Sequence, residues 1–127
     1  MKYLLDTHAF LWFIDGSSEL SPNAKEIILN PENLKFVSIV SFWEIAIKLK
    51  IEKIIIEMPF SDLKNQAQIN GFQILPLVFE DTQRLTTLQL HHRDPFDRML
   101  ISQALQNRLF IISKDSEFQK YTNKVIW

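Results

Sequence analysis

Apolar and polar positions alternate along this chain between two rhythms, short continuous runs and helical i, i+3, i+4 rows. Lys2 to Leu5 is a short apolar run that predicts a buried strand, broken at Asp6-Thr7. Residues 8 to 15 predict an apolar helix closed by Gly16, and Ser21-Pro22 opens another that runs to Leu29 before Asn30-Pro31. Leu34 to Ile39, β-branched and aromatic between turn signals, predicts a second strand. Ser41-Phe42-Trp43-Glu44 begins a helix that is apolar on nearly every side except Glu44, Lys48 and Lys50, so it packs on more than one face. Residues 51 to 59 are ambiguous between a helix end and an irregular connection. Ser61 to Asn70 predicts a helix ended by Gly71, Phe72 to Leu77 a short strand with Pro76 at its exit, and Glu80 to Leu90 a further helix. Leu109 to Ile112 is a continuous apolar strand, and Val125 to Trp127 adds a last one.

Between these lies Arg93 to Leu105, a helix start carrying two carboxylates. Asp94 serves as N-cap, Pro95 takes the first helical position where its missing N–H is no loss, and Asp97 falls at the third. Phe96, Leu100 and Ala104 form one i, i+4 row and Asp97, Ile101 and Leu105 the next, so Asp97 stands at the N-terminal end of an apolar face. Local chemistry alone would let Asp94 cap, Asp97 favour the helix dipole, and Asp94 pair with Arg98.

Strands separated by helices imply parallel pairing, right-handed crossovers and an α/β/α sandwich. The strands are short and apolar, as burial on both faces requires. No repeat, linker or low-complexity tract interrupts the order, and 127 residues suffice for one domain spanning 1–127. The 46% hydrophobic and 23% charged fractions argue against disorder. Without cysteine, disulfides, thiolate zinc sites and thiol nucleophiles are excluded. The opening residues make too short an apolar run for a signal peptide and no membrane span is found, so a cytoplasmic location is expected. The net charge of −1 counts against a free-standing electrostatic nucleic-acid binder. It leaves a nuclease open, because bound divalent ions would supply positive charge at the phosphate.

In a parallel sheet the carboxyl ends of the strands share one edge, where ligands bind. Asp6 ends the first strand and Asp115 follows Leu109 to Ile112. Glu44 is expected in the first turn of the helix after the second strand, and Asp97 in the first turn of the helix before the Leu109 strand. All four acids are thereby brought toward one place. Such a cluster repels itself unless a hard cation relieves it, which points to Mg2+ or Mn2+ and to phosphodiester hydrolysis. Each acid also has a local use: Glu44 completes a Ser41-x-x-Glu44 capping box and pairs with Lys48, Asp6 is a turn residue, and Asp115 caps a short final helix through Phe118 and Tyr121. His8, His91 and His92 are read as loop or surface groups, since adjacent histidines are badly placed to chelate together from a regular helix. Phe10, Trp12, Phe13, Phe42 and Trp43 are read as core, with an interface as their minority use.

With these residues in place, the chain resembles the PIN-domain family and, within it, the VapC-like toxins of toxin-antitoxin pairs. The resemblance is carried by Leu4-Leu5-Asp6-Thr7-His8, Ser41-Phe42-Trp43-Glu44-Ile45-Ala46-Ile47-Lys48, Asp94-Pro95-Phe96-Asp97-Arg98-Met99-Leu100-Ile101 and Ile112-Ser113-Lys114-Asp115. It implies a PIN-like three-layer α/β/α sandwich with a parallel sheet of about five strands. It also implies a Mg2+- or Mn2+-dependent endoribonuclease acting on RNA, a homodimer, and inhibition by a cognate antitoxin. The metal-site acids fall on Asp6, Glu44, Asp97 and Asp115. Thr7 and Ser113 are expected to hold a metal-bound water or phosphate oxygen, and Lys48 and Arg98 to position RNA phosphate or else to pair locally with Glu44 and Asp94. Two other classes remain open: a catalytically inactive PIN-like module that binds RNA or protein, and a phosphoreceiver-like signalling domain. The latter is disfavoured because Leu75-Pro76-Leu77-Val78 offers no acceptor aspartate.

Overall fold

The computed structural model describes residues 1–127. Five strands, β1 (Lys2–Leu5), β2 (Leu34–Ser38), β3 (Phe72–Leu75), β4 (Phe110–Ile112) and β5 (Val125–Ile126), form one sheet in the order β3-β2-β1-β4-β5. Every neighbouring pair is parallel. Six helices accompany it: α1 (Thr7–Asp15), α2 (Pro22–Leu29), α3 (Ile39–Lys50), α4 (Leu63–Ile69), α5 (Phe79–Leu85) and α6 (Pro95–Asn107). The predicted α/β/α sandwich is therefore present.

The alternation of β1 divides the core. Tyr3 and Leu5 point to one face, where they join Phe10 of α1, Ala24 and Ile28 of α2, Phe42 and Ile45 of α3, and Leu63 and Ala67 of α4. Leu4 points to the other, with Ile111, Leu100, Ile101 and Ala104 of α6, and Phe118. Helix α3 supplies Val40 to the second cluster as well as Phe42 and Ile45 to the first, which explains why its sequence is apolar nearly all round.

Several boundaries differ from those the sequence predicts. Helix α3 begins at Ile39, not Ser41, because Ser38 turns out of β2 and its Oγ accepts from Val40 N at 3.0 Å. The cap overrides the β-branched pair Ile39-Val40. Ser41 thus lies inside the helix and no Ser41–Glu44 capping box forms; Glu44 sits in the second turn, not the first. Helix α1 starts at Thr7 on its cap Asp6. Helix α5 ends at Leu85 instead of Leu90: Thr86, Thr87 and Leu88 donate to Gln83, Arg84 and Leu85 carbonyls three residues back, and the two threonine hydroxyls bond the Gln83 and Arg84 carbonyls as well. Residues 51–59 form turns and irregular connection, followed by a 3₁₀ turn at Phe60–Asp62 that leads into α4.

The chain proceeds from β1 outward to β2 and β3, then returns to place β4 on the other flank of β1. The switch in direction lies between β1 and β4, and the crevice beyond their carboxyl ends is where a parallel sheet of this kind binds ligands. Asp6 follows β1 there, and Ser113 to Asp115 follow β4. Helix α6, which leads back into β4, starts at the same edge.

Candidate metal centre

Asp6 is the N-cap of α1, its Oδ1 accepting from Ala9 N at 2.8 Å. Its Oδ2 accepts from the Ser113 hydroxyl at 2.5 Å, and Asp6 N donates to Ile112 O, so the ends of β1 and β4 are tied through both backbone and side chain. The side chain is nearly sealed from solvent, and burial raises its pKa against the lowering effects of the Ser113 and Ala9 hydrogen bonds.

Glu44 is equally buried. The Thr7 hydroxyl donates to its Oε1 at 2.7 Å, and Lys48, one turn on, pairs with Oε2. Thr7 has one proton to give, so the Ser41 hydroxyl 2.9 Å away is left to donate to Thr7 Oγ1.

Asp97 is placed by the cap ahead of it. Asp94 Oδ1 accepts from Phe96 N at 2.8 Å and Asp97 N at 3.1 Å, which fixes the first turn of α6 as the Asp-Pro pattern predicts. Burial, reinforced by the negative charges of Asp94, Asp6 and Glu44, pushes the Asp97 carboxyl up to about 7, with His92 opposing.

Asp115 caps the 3₁₀ turn Ser116–Lys120, its Oδ1 accepting from Glu117 N at 2.9 Å, and its own N donates to Ser113 Oγ at 3.0 Å. Its other oxygen faces the histidine that the sequence reading assigned to the surface. His92 Nε2 lies 3.2 Å from Asp115 Oδ2 and 3.0 Å from Asp97 Oδ2, with its side chain only 16% exposed. Nδ1 accepts from Asp94 N at 3.3 Å, so Nε2 carries the ring proton and offers it to the two carboxylates. His92 therefore lies in a loop, as one half of the sequence reading had it, but is turned in from the surface. Adjacency to His91 excludes joint chelation from a helix, but this segment is a loop, and it turns one histidine inward while His91 stays exposed. Its position just ahead of the Asp94 cap is the signal that would have found it. His8 remains exposed at the rim, beside Trp12, in a cleft of about 220 Å³ lined also by Asp6, Lys114 and Asp115.

The remaining candidates meet their expectations unevenly. Thr7 and Ser113 are buried and engaged with Glu44 and Asp6, so their hydroxyls orient acids and do not face a phosphate. Lys48 takes the local option of pairing with Glu44. Arg98 does not pair with Asp94, and its Nε is buried without a partner. Trp43 is 59% exposed and packs edge-on against Phe96, whereas Phe10 and Phe42 are core as expected.

Hydrogen bonds run from Glu44 through Thr7, and from Asp6 through Ser113 and Asp115 to His92 and Asp97. Four carboxylates, with one lysine as counter-charge and one imidazole beside them, form a donor set dominated by hard oxygens, with excess negative charge. A divalent cation such as Mg2+ or Mn2+ suits that set. A larger apolar groove of about 770 Å³, lined by Phe42, Trp43, Phe60 and Phe72 among others, holds none of these acids.

The family model of the PIN domain matches residues 3–124. No curated protein sequence matches the chain. Among solved structures, VapBC2 from Rickettsia felis bound to a promoter DNA fragment aligns with a TM-score of 0.69 at 15% identity, covering 100% of this chain and 98% of that one. A toxin-antitoxin complex from Klebsiella pneumoniae aligns at 0.65 and 16% identity, covering 98% of this chain and 96% of that one. FitAcB from Neisseria gonorrhoeae aligns at 0.64 and 17% identity with the same coverage, 98% and 96%. At these identities the likeness is one of fold.

Proposed function

The chain belongs to the PIN-domain family, and from that membership we propose that it is one nuclease domain, a divalent-metal-dependent endoribonuclease that cuts RNA phosphodiester bonds and serves as the toxin of a toxin-antitoxin pair. The observation that carries the reading is the run of contacts at the β1/β4 switch point that joins Asp6 through Ser113 and Asp115 to His92 and Asp97, with Glu44 bonded to Thr7 next to Asp6. A capped helix or a turn uses an acid singly; it has no need to crowd four.

In this reading Asp6, Glu44, Asp97 and Asp115 hold Mg2+ or Mn2+. A bound divalent ion supplies an activated water and neutralises charge on the phosphate and the leaving oxygen. The chain's own part is positional. Ser113 and Ala9 N fix the two oxygens of Asp6, Thr7 and Lys48 fix those of Glu44, and the Asp94 cap fixes the backbone that bears Asp97. Exposed Lys114, at the rim of the cleft beside Asp6 and Asp115, stands where a polyanion would approach. The cognate antitoxin, a homodimeric assembly and a cytoplasmic setting belong to the same proposal, supported by the resemblance to VapC-like chains and by neighbours solved as toxin-antitoxin complexes.

The test is cleavage of single-stranded RNA with Mn2+ or Mg2+. The wild type is expected to cut and to be silenced by a chelator, while Asp6→Asn and Asp97→Asn lose at least about a hundredfold in rate. A folded wild-type protein that binds RNA but does not cut it with either ion would instead identify an inactive binding module.

A further inference from the structure

We propose that His92 is itself a ligand of the metal centre, through Nε2, and that this nitrogen donor makes the site prefer Mn2+ to Mg2+. The inference rests on the metal-centre reading above but adds a residue and a selectivity to it.

The geometry comes first. Nε2 and one oxygen each of Asp97 and Asp115 form a compact triad, all within 4.8 Å of one another, with Nε2 3.0 and 3.2 Å from the two oxygens. Neighbouring donors of a six-coordinate ion bound at about 2.1 Å lie about 3.0 Å apart, the side of a right triangle with two such bonds. The spacing that now accommodates a shared proton also fits a shared ion.

The ring is held to that spacing. The Tyr121 hydroxyl accepts from both His91 N and His92 N at 2.8 Å, which anchors the backbone of the loop. Phe118, fully buried, meets the imidazole edge-to-face at 6.2 Å. A surface histidine has no need of two backbone anchors and an aromatic wall. Together they fix where the ring stands.

Ligation conserves the proton by a change of tautomer. Ligation would use the Nε2 lone pair, so the proton that nitrogen carries would pass to Nδ1 by way of solvent. The exchange sacrifices the Asp94 N–H bond to Nδ1, which at 3.3 Å is long and weak. Mg2+ favours an all-oxygen shell and keeps its waters, whereas imidazole suits transition ions, so the nitrogen separates two ions that the carboxylates alone treat alike.

The deciding experiment uses the full chain loaded with Mn2+ and reads ¹⁴N coupling to the ion by pulsed electron paramagnetic resonance, with Mn2+ and Mg2+ affinities measured by calorimetry. The wild type is expected to show imidazole nitrogen coupling. His92→Gln is expected to lose it, together with about tenfold or more of Mn2+ affinity and no more than about threefold of Mg2+ affinity. Tyr121→Phe is expected to weaken the coupling, and a His8→Gln, His91→Gln double variant to keep it, which decides the matter even if His92→Gln does not fold. Bound Mn2+ without nitrogen coupling, or coupling that survives His92→Gln, overturns the role of His92 and leaves the four-acid centre standing. Equal losses for both ions overturn it too, since they would mark His92 as a group that only orients carboxylates. No bound Mn2+ at all overturns the metal centre and this inference together.

Discussion

Asp97 is held where the folded chain prefers it protonated. Burial and the charges of Asp94, Asp6 and Glu44 raise its carboxyl from 3.8 to about 7. Below the lower value the folded and unfolded chains both bind the proton, so the shift has no effect on stability. As pH rises from there through about 7, the unfolded chain releases the proton first and the metal-free fold loses stability. Asp97→Asn removes that loss. In a chelator it is expected to raise the unfolding free energy read from urea titration at pH 8 by on the order of 2 kcal/mol and to change it little near pH 4. Equal effects at both values would mean the carboxyl is not perturbed by its neighbours. At this scale the general position of the acids was legible because strand ends and helix starts share one edge, although Glu44 falls a turn further into α3 than expected. The partners were not. Thr7 and Ser113 point at acids because of where α3 and β4 bring Glu44 and Asp6, and His92 turns inward because Tyr121, thirty residues on, holds its loop.

Some helix boundaries in this chain announce themselves and others do not. Asp94-Pro95 and Ser21-Pro22 mark α6 and α2 directly, since the side-chain cap and the fixed proline φ are local chemistry. The start of α3 was displaced by two residues because Ser38 and Ser41 offer equal caps in sequence. The choice is tertiary: the Ser38 hydroxyl also donates to Gln103 Oε1, and Gln103 Nε2 donates to Pro76 O, stitching α6 to the ends of β2 and β3. Helix α6 closes on Arg108 at φ +57, a left-handed conformation that L side chains adopt at some cost, and no glycine betrays it. Arg108→Gly is accordingly expected to stabilise the protein by roughly 0.5–1 kcal/mol, read as a higher urea midpoint with an unchanged slope. A lower midpoint would mean that the arginine side chain contributes packing that outweighs its backbone.

For the molecule as a whole, the proposed metal centre lies at the carboxyl end of the central strand β1, so relief of its charge repulsion should register globally. Mn2+ at a hundred times its dissociation constant is expected to stabilise the fold by about 2.7 kcal/mol, about 10 °C in Tm for a chain of this size, and a chelator to reverse it. No shift in the wild type, or the same shift in Asp97→Asn, would place the ion elsewhere. The overall architecture was legible because alternation of short apolar strands with helices leaves few arrangements. The strand order has a further consequence, in time. Strand β1 pairs with both β2 and β4, and Asp6 at its end meets Asp115 only after the 108 residues between them have been made and folded back. A ribosome adding about 5–20 residues per second therefore holds the nascent chain without a complete centre for at least about 5 s. Stalled nascent chains ending before β4 should be inert toward RNA, so the fold itself delays the activity until nearly the last of these residues has been synthesised.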